Sequence, residues 1–286
     1  MAYLNHVWLS IWGYRPVPPG FSIRVFTYLQ PPVSVARFVD SGAGYKPVGV
    51  DSYRTVTARD PTTILLARHG ETDWNREGRL QGWAPVGLNA RGRRQARRLG
   101  EHVASSYDID RLIASDLRRT RETTALVREA GVDTVESETP RADGTTRGGS
   151  VDAEPEFDPA WRERDLGVYQ GLTREEMDEQ FPAFAFESGL LALEECPEGG
   201  ECLVDAYERT VTAWERLRAD PGGDTVLVVT HGGPVTGVLA HVRGDDLFTA
   251  IAEYAIGNCT LAELRVWSDE TVAVRRVEGG PPAIEE

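Results

Sequence analysis

The sequence predicts an α/β sandwich of three layers, a mostly parallel central sheet flanked by helices. Three observations carry that prediction. Short apolar runs alternate along the chain with longer segments of helical period. Two of the runs end in the same way, at His69-Gly70 and at His231-Gly232. The length of 286 residues, 41% hydrophobic and 27% charged, suits one large domain with an appendage.

The elements follow in order. Thr63 to Ala67 is a short apolar run and reads as a buried strand. Asn89 to about Ser105 reads as a helix with Asn89 as its N-cap. Leu112 to Ala114 is a second strand, and Ser115 or Asp116 then caps a helix to about Ala130, with Gly131 just past its end. Residues 137 to 156, rich in Thr, Gly, Asp and Pro, read as an inserted surface loop. Arg174 to Gln180 is a short helix stopped by Pro182, and Leu203 to Ala219 a longer one. Residues 171 to 201 read as a cap over a crevice, with Phe181, Phe184, Phe186, Leu190 and Leu191 as its own small core. Thr225 to Val229 is another buried strand, and Pro234 opens a helix to about His241. Thr260 to Trp267 and Thr271 to Val277 form two strands about a turn at Ser268 to Glu270.

Composition divides the chain near residue 57. Residues 1–56 carry +3 and 10 of the 24 aromatics, so the remainder carries −17 of the total −14. The first segment has no persistent period and no basic residue before Gly13, unlike a signal peptide. It reads as a disordered arm or mis-assigned upstream translation rather than a folded module, with the functional domain at 57–286. Asp and Glu number 45 against 31 Lys and Arg, and Lys46 is the single lysine. Such a charge opposes nucleic acid and anionic membrane as partners and reads as a halophilic surface, whose stability is expected to fall as salt is removed. No run of 18 apolar residues exists to span a membrane. Three cysteines, Cys196, Cys202 and Cys259, give neither a disulfide framework nor a zinc spacing, which fits a reducing, cytoplasmic compartment.

Ligands of open α/β sheets bind at the carboxyl ends of strands, so His69 and His231 are expected in one crevice. Arg68 precedes the first histidine. Ser115-Asp116-Leu117-Arg118-Arg119 opens a helix, where free N–H groups favour an anion and an arginine adds a fork matched to phosphate oxygens. Spacing alone does not choose between Arg118 and Arg119. Arg93, Arg94, Arg97, Arg98, Arg121 and Arg128 read as surface charge.

Several segments together resemble the histidine phosphatase superfamily, in its phosphoglycerate mutase-like branch. They are Arg68-His69-Gly70-Glu71-Thr72-Asp73-Trp74-Asn75, Leu80-Gln81-Gly82-Trp83, and Leu88 to Ala96. Ser115 to Thr123, Glu163-Arg164-Asp165-Leu166-Gly167 with Gln170-Gly171, and Thr230-His231-Gly232-Gly233 complete the series, in the family's order across about residues 62 to 266. The resemblance implies a phosphoglycerate mutase-like fold and a histidine acid-base phosphatase, a metal-independent phosphomonoester hydrolase needing no cofactor. His69 matches the nucleophile that becomes a phosphohistidine. Arg68, Asn75, Arg119, His231 and Gly232 match phosphate contacts, and Glu163 matches the proton donor. The implied partner is a small phosphorylated metabolite.

Such chemistry needs an in-line neutral imidazole, positive donors around the phosphoryl oxygens and a carboxyl that can give and retake a proton. Without the resemblance, Glu163 between Arg162 and Arg164 reads as an ordinary salt-bridged acid. Two positions depart from the family. Gly87 stands where relatives have proline, and Cys202 stands where they often have serine and reads as a small buried side chain. The alternative activity is a 2,3-bisphosphoglycerate-dependent phosphoglycerate mutase. Mutases carry His-Gly-Asn-Ser where this chain has His231-Gly232-Gly233-Pro234, which places it on the phosphatase side. A non-catalytic phospholigand-binding protein fits less well, since no expected site residue is lost. No His-Glu-x-x-His or Gly-x-Ser-x-Gly motif supports a metallohydrolase or a serine hydrolase.

Overall fold

A computed structural model describes residues 60–132, 154–181, 196–219, 222–254 and 256–278. The whole N-terminal extension of residues 1–56, most of the 137–156 insertion, and Phe184, Phe186, Leu190 and Leu191 of the cap lie outside these residues.

Six strands form one mixed sheet: β1 (Thr62–Arg68), β2 (Arg111–Ala114), β3 (Glu156–Phe157), β4 (Thr225–Thr230), β5 (Leu261–Val266) and β6 (Val272–Glu278). Their order is β3-β2-β4-β1-β5-β6. The first four in that order run parallel, and the hairpin β5–β6 adds an antiparallel edge. The helices are α1 (Asp73–Arg76), α2 (Ala90–Ser106), α3 (Arg118–Glu129), α4 (Arg174–Gln180), α5 (Leu203–Arg218), α6 (Gly232–Arg243) and α7 (Leu247–Glu253). Among the described residues none is long and apolar enough to cross a membrane.

Strand alternation divides the core between two faces. Ile64, Leu66, Val226 and Val228 pack with Trp214 and Leu217 of α5 and Val235, Val238 and Leu239 of α6. Leu65, Ala67, Leu227 and Val229 pack with Leu99 and Val103 of α2 and Val127 of α3 on the other face. Because β1 and β4 are buried on both faces, they read as continuous apolar runs rather than alternating ones.

Register positions the site. Arg68 pairs with Thr230, and Ala114 pairs with Val229. Hence His69, Ser115 and His231 each stand at or just beyond the carboxyl end of adjacent parallel strands. The turn after β1 then meets the first turn of α2 backbone to backbone. A Cβ on Gly92 would lie 2.0 Å from the Glu71 carbonyl oxygen, and one on Gly70 would lie 2.5 Å from the Gly92 oxygen. Asn89 caps α2 as expected, accepting from the Gly92 N–H at 2.8 Å.

Three readings of the sequence need correction, and one helix was not anticipated. The N-cap of α3 is Leu117, with no side-chain cap. Ser115 and Asp116 do not cap it because tertiary partners engage their side chains: His231 for Ser115, and Arg162 for Asp116. The end of the expected 137–156 loop is strand β3, which pairs with β2. Asp246 caps α7, a helix the periodicity did not announce. Finally, Cys196 and Cys202 form a disulfide, their Cα atoms 4.1 Å apart, so Cys202 is not a lone buried side chain and cysteine usage gives no support to a reducing compartment. The turn through Pro197-Glu198-Gly199-Gly200, with Gly199 at φ 71°, reverses the chain and brings the pair together.

Candidate active site

His69 follows β1 and is 2% exposed. Its Nδ1 lies 2.7 Å from the Gly70 carbonyl oxygen. A carbonyl only accepts, so Nδ1 carries the proton and Nε2 keeps its lone pair. The Gly70 N–H donates to Thr123 Oγ1 at 3.1 Å, and that hydroxyl donates to the Arg119 carbonyl at 2.7 Å, which ties the His-Gly turn to α3.

His231 follows β4 and is the N-cap residue of α6. Its Nε2 is 2.9 Å from Ser115 Oγ, and its Nδ1 accepts from Arg119 Nε at 3.1 Å. The same Arg119 Nε–H faces His69 Nε2 at 3.2 Å. The two rings stand edge to face, 5.2 Å between centroids. One guanidinium N–H thus bridges the bare nitrogens of both imidazoles. Arg119 is 1% exposed and is anchored by Nη2 on the Gly82 carbonyl at 2.8 Å. Arg118 instead lies exposed and pairs with Glu122.

Burial and the neighbouring guanidiniums of Arg119 and Arg68 hold the His69 pKa well below its ordinary value. Burial and Arg119 do the same to His231. Both imidazoles are therefore neutral near pH 7. Burial lowers the Arg119 pKa to about 10, which leaves it cationic. Burial also lowers Arg68, against the pull of Glu163 and Cys259. Arg68 donates through Nη1 to the Ile256 carbonyl, while its buried Nε has no partner.

Asn75 closes a capping box with Thr72 at α1. Its Oδ1 accepts from the Thr72 N–H at 3.2 Å, from the Thr72 hydroxyl at 3.1 Å and from Asn258 Nδ2 at 3.2 Å. With the oxygen so engaged, the amide nitrogen is the group turned to other partners. Asn258 Nδ2 also donates to the His69 carbonyl at 3.1 Å.

Glu163 lies in the loop after β3, with its carboxylate at the start of α6. Oε2 accepts the Gly233 N–H at 3.2 Å, and Oε1 accepts the Arg164 N–H at 3.0 Å. A Cβ on Gly233 would lie 2.2 Å from Oε1, so glycine there lets the carboxylate approach the helix. Glu163 is not salt-bridged to Arg162, which pairs with Asp116 at 2.6 Å, or to Arg164, whose Nε donates to the Glu201 carbonyl at 2.9 Å. Gly232 is the first residue of α6, where backbone N–H groups have no intrahelical partner.

The structure therefore brings His69, Arg68, Arg119, His231, Gly232, Asn75 and Glu163 to one end of the sheet. Sequence reasoning missed Asn258 and the partnership of Ser115 with His231. Ser115 carried a signal, since it opens the same segment as Arg119, but Asn258 carried none. Gly87 is accommodated simply: a Cβ there would lie 2.8 Å from Glu122 Oε1, so its absence leaves room for the Arg118–Glu122 pair.

Comparison with known proteins bears on this geometry. The profile of the histidine phosphatase superfamily (branch 1) matches residues 64–141 and 132–278. The chain belongs to the histidine phosphatase superfamily. It is 30% identical over 218 residues to phosphoglycerate mutase-like protein 4 of Arabidopsis thaliana, covering 73% of this chain and 86% of that one. It is 31% identical over 183 residues to a metal-independent phosphoserine phosphatase of the same plant, covering 63% and 68%. The solved mycobacterial glucosyl-3-phosphoglycerate phosphatase, in complex with VO3, superposes with a TM-score of 0.59 at 26% identity, covering 76% of this chain and 97% of that one. The superfamily fold is thus that of the phosphoglycerate mutase-like histidine phosphatases, and the relatives include phosphomonoester hydrolases.

Proposed function

We propose that this chain is a metal-independent phosphomonoesterase working through a phosphohistidine on a small phosphorylated metabolite. The observation that carries the reading is the single Arg119 N–H set between the bare nitrogens of two neutral, buried histidines. A phosphoryl oxygen would take over that donor and leave His69 Nε2 free to attack. As the Nε2–P bond forms, the P–O ester bond breaks, and the leaving oxygen takes a proton from the Glu163 carboxyl. Glu163 then takes a proton from water, whose oxygen attacks phosphorus and breaks the P–N bond, so that inorganic phosphate leaves. Arg68, Arg119, the Gly232 N–H and Asn75 hold the equatorial oxygens, donors placed before the charge develops, and His231 joins them in the tautomer that carries its proton on Nδ1, its Nε2 then accepting from Ser115 Oγ.

The hydrolase reading is preferred to the mutase on the motif, since His231-Gly232-Gly233-Pro234 stands where mutases carry His-Gly-Asn-Ser. A surface suited to high salt goes with the net charge of −14.

The test is phosphate release from p-nitrophenyl phosphate and 3-phosphoglycerate, in high salt with chelator, beside His69→Ala. The expected outcome is release that survives chelator and disappears in the variant. Interconversion of 2- and 3-phosphoglycerate after bisphosphoglycerate is added, without release, would replace the hydrolase by the mutase.

A further inference from the structure

The main chain that delivers Glu163 is gripped by a residue outside the catalytic constellation. Arg209, midway along α5, directs its guanidinium at the carbonyls of Ala160, Arg162 and Glu163. Nη1 donates to the Ala160 oxygen at 2.9 Å and to the Arg162 oxygen at 3.0 Å. Nη2 donates to the Glu163 oxygen at 3.2 Å. The remaining donors form a two-pronged pair with Glu201, Nε to Oε1 at 3.1 Å and Nη2 to Oε2 at 2.8 Å. Glu201 in turn accepts the Asp165 N–H at 3.0 Å, and its carbonyl accepts Arg164 Nε at 2.9 Å. The Glu163 oxygen has a second donor in Trp83 Nε1 at 2.7 Å.

We infer that Arg209, braced by Glu201, is a positioning residue that fixes the main chain of Glu163 for proton transfer. The inference rests on the reading of Glu163 as proton donor. A short carboxyl side chain follows its backbone, and proton transfer tolerates little displacement of donor from acceptor. The planar fork of arginine reaches three carbonyls and a carboxylate at once, and the ammonium of lysine reaches fewer. Trp161 and Arg162 are held on one side by the Thr230 hydroxyl and Asp116, and Asp165 on the other by Glu201, so that Arg209 and Trp83 are the groups that fix the Glu163 carbonyl between them.

Leaving-group chemistry separates positioning from bulk structure. An alkyl phosphomonoester needs its leaving oxygen protonated, whereas p-nitrophenolate departs as an anion. The kcat/KM of the full chain is measured on both substrates for Glu163→Gln, Arg209→Met, Arg209→Lys and Glu201→Gln. Glu163→Gln and Arg209→Met are expected to lose on the order of 10²-fold on the alkyl ester and much less on the aryl ester. Arg209→Lys and Glu201→Gln should fall between them and wild type, and Arg209→Met added to Glu163→Gln should cost nothing more. Equal losses on both esters in the Arg209 and Glu201 variants, with Glu163→Gln selective, would overturn the inference and leave the role of Glu163 standing. A Glu163→Gln variant that is itself unselective would overturn both. Should Arg209→Met fail to fold, the selectivity of Arg209→Lys and Glu201→Gln decides.

Discussion

At the residue scale, the two histidines are kept neutral by being buried beside cations. Ordinary histidine titrates near pH 6.5, whereas burial and Arg119 hold His69 and His231 well below that value in the folded chain. The sign follows from proton counting. Once pH falls below about 6.5, the unfolded chain binds protons that the folded chain refuses, so stability is lost with acidification in the window above the carboxylate range. Thermal midpoints are expected to drop between about pH 6.5 and pH 5, and to drop less steeply in His231→Asn. A midpoint that stays level or rises on acidification, with wild type and variant alike, would count against neutral buried imidazoles. The identities of these residues were legible because each stands in a short local motif. Their partnerships were not, because Ser115, Gly70 and Asn258 reach the histidines through strand register, the turn after β1 and the loop before β5, and pairing of that kind is set by the fold.

At the element scale, the decisive contact is backbone on backbone. The His69-Gly70 turn rests on the first turn of α2 because Gly70 and Gly92 lack side chains. Gly92→Ala would place a Cβ against the Glu71 carbonyl, where only main chain could yield. The expected cost is about 1–3 kcal/mol of stability, together with lost phosphatase activity as the turn carrying His69 shifts. Denaturant unfolding and the aryl phosphate assay check this, and an alanine variant with wild-type values of both would refute it. Strands β1, β2 and β4 and helices α2, α4 and α5 were legible within a residue or two, since their apolar periods and caps are strong. The misread α3 cap has a physical cause. Ser-Asp before a helix is a capping signal only when no stronger partner competes, and here an imidazole and a guanidinium take both side chains. The two-residue strand β3 is too short to carry a period, and the Cys196–Cys202 pair depends on a glycine turn rather than on cysteine count.

At the scale of the whole molecule, the parallel order β2-β4-β1 assembles the site by stacking three strand ends side by side, and the antiparallel β5–β6 hairpin extends the sheet beyond β1. The loop after β3 and the first turn of α6 then set Glu163 within hydrogen-bonding distance of the Gly233 N–H. The chain thereby presents a neutral imidazole, buried guanidiniums and a carboxylate from four separate strand ends, the arrangement that the proposed phosphoryl transfer by placement and charge requires. The step on which the proposed function turns is transfer of the phosphoryl group to His69 itself. The direct measurement is to mix enzyme with a phosphorus-labelled substrate, quench in alkali within one turnover and map the label by peptide mass. The expected result is an alkali-stable, acid-labile phosphoryl on His69 that appears and decays at rates consistent with turnover. Label on another residue, or turnover with no labelled peptide although the quench traps a control phosphohistidine, would contradict it.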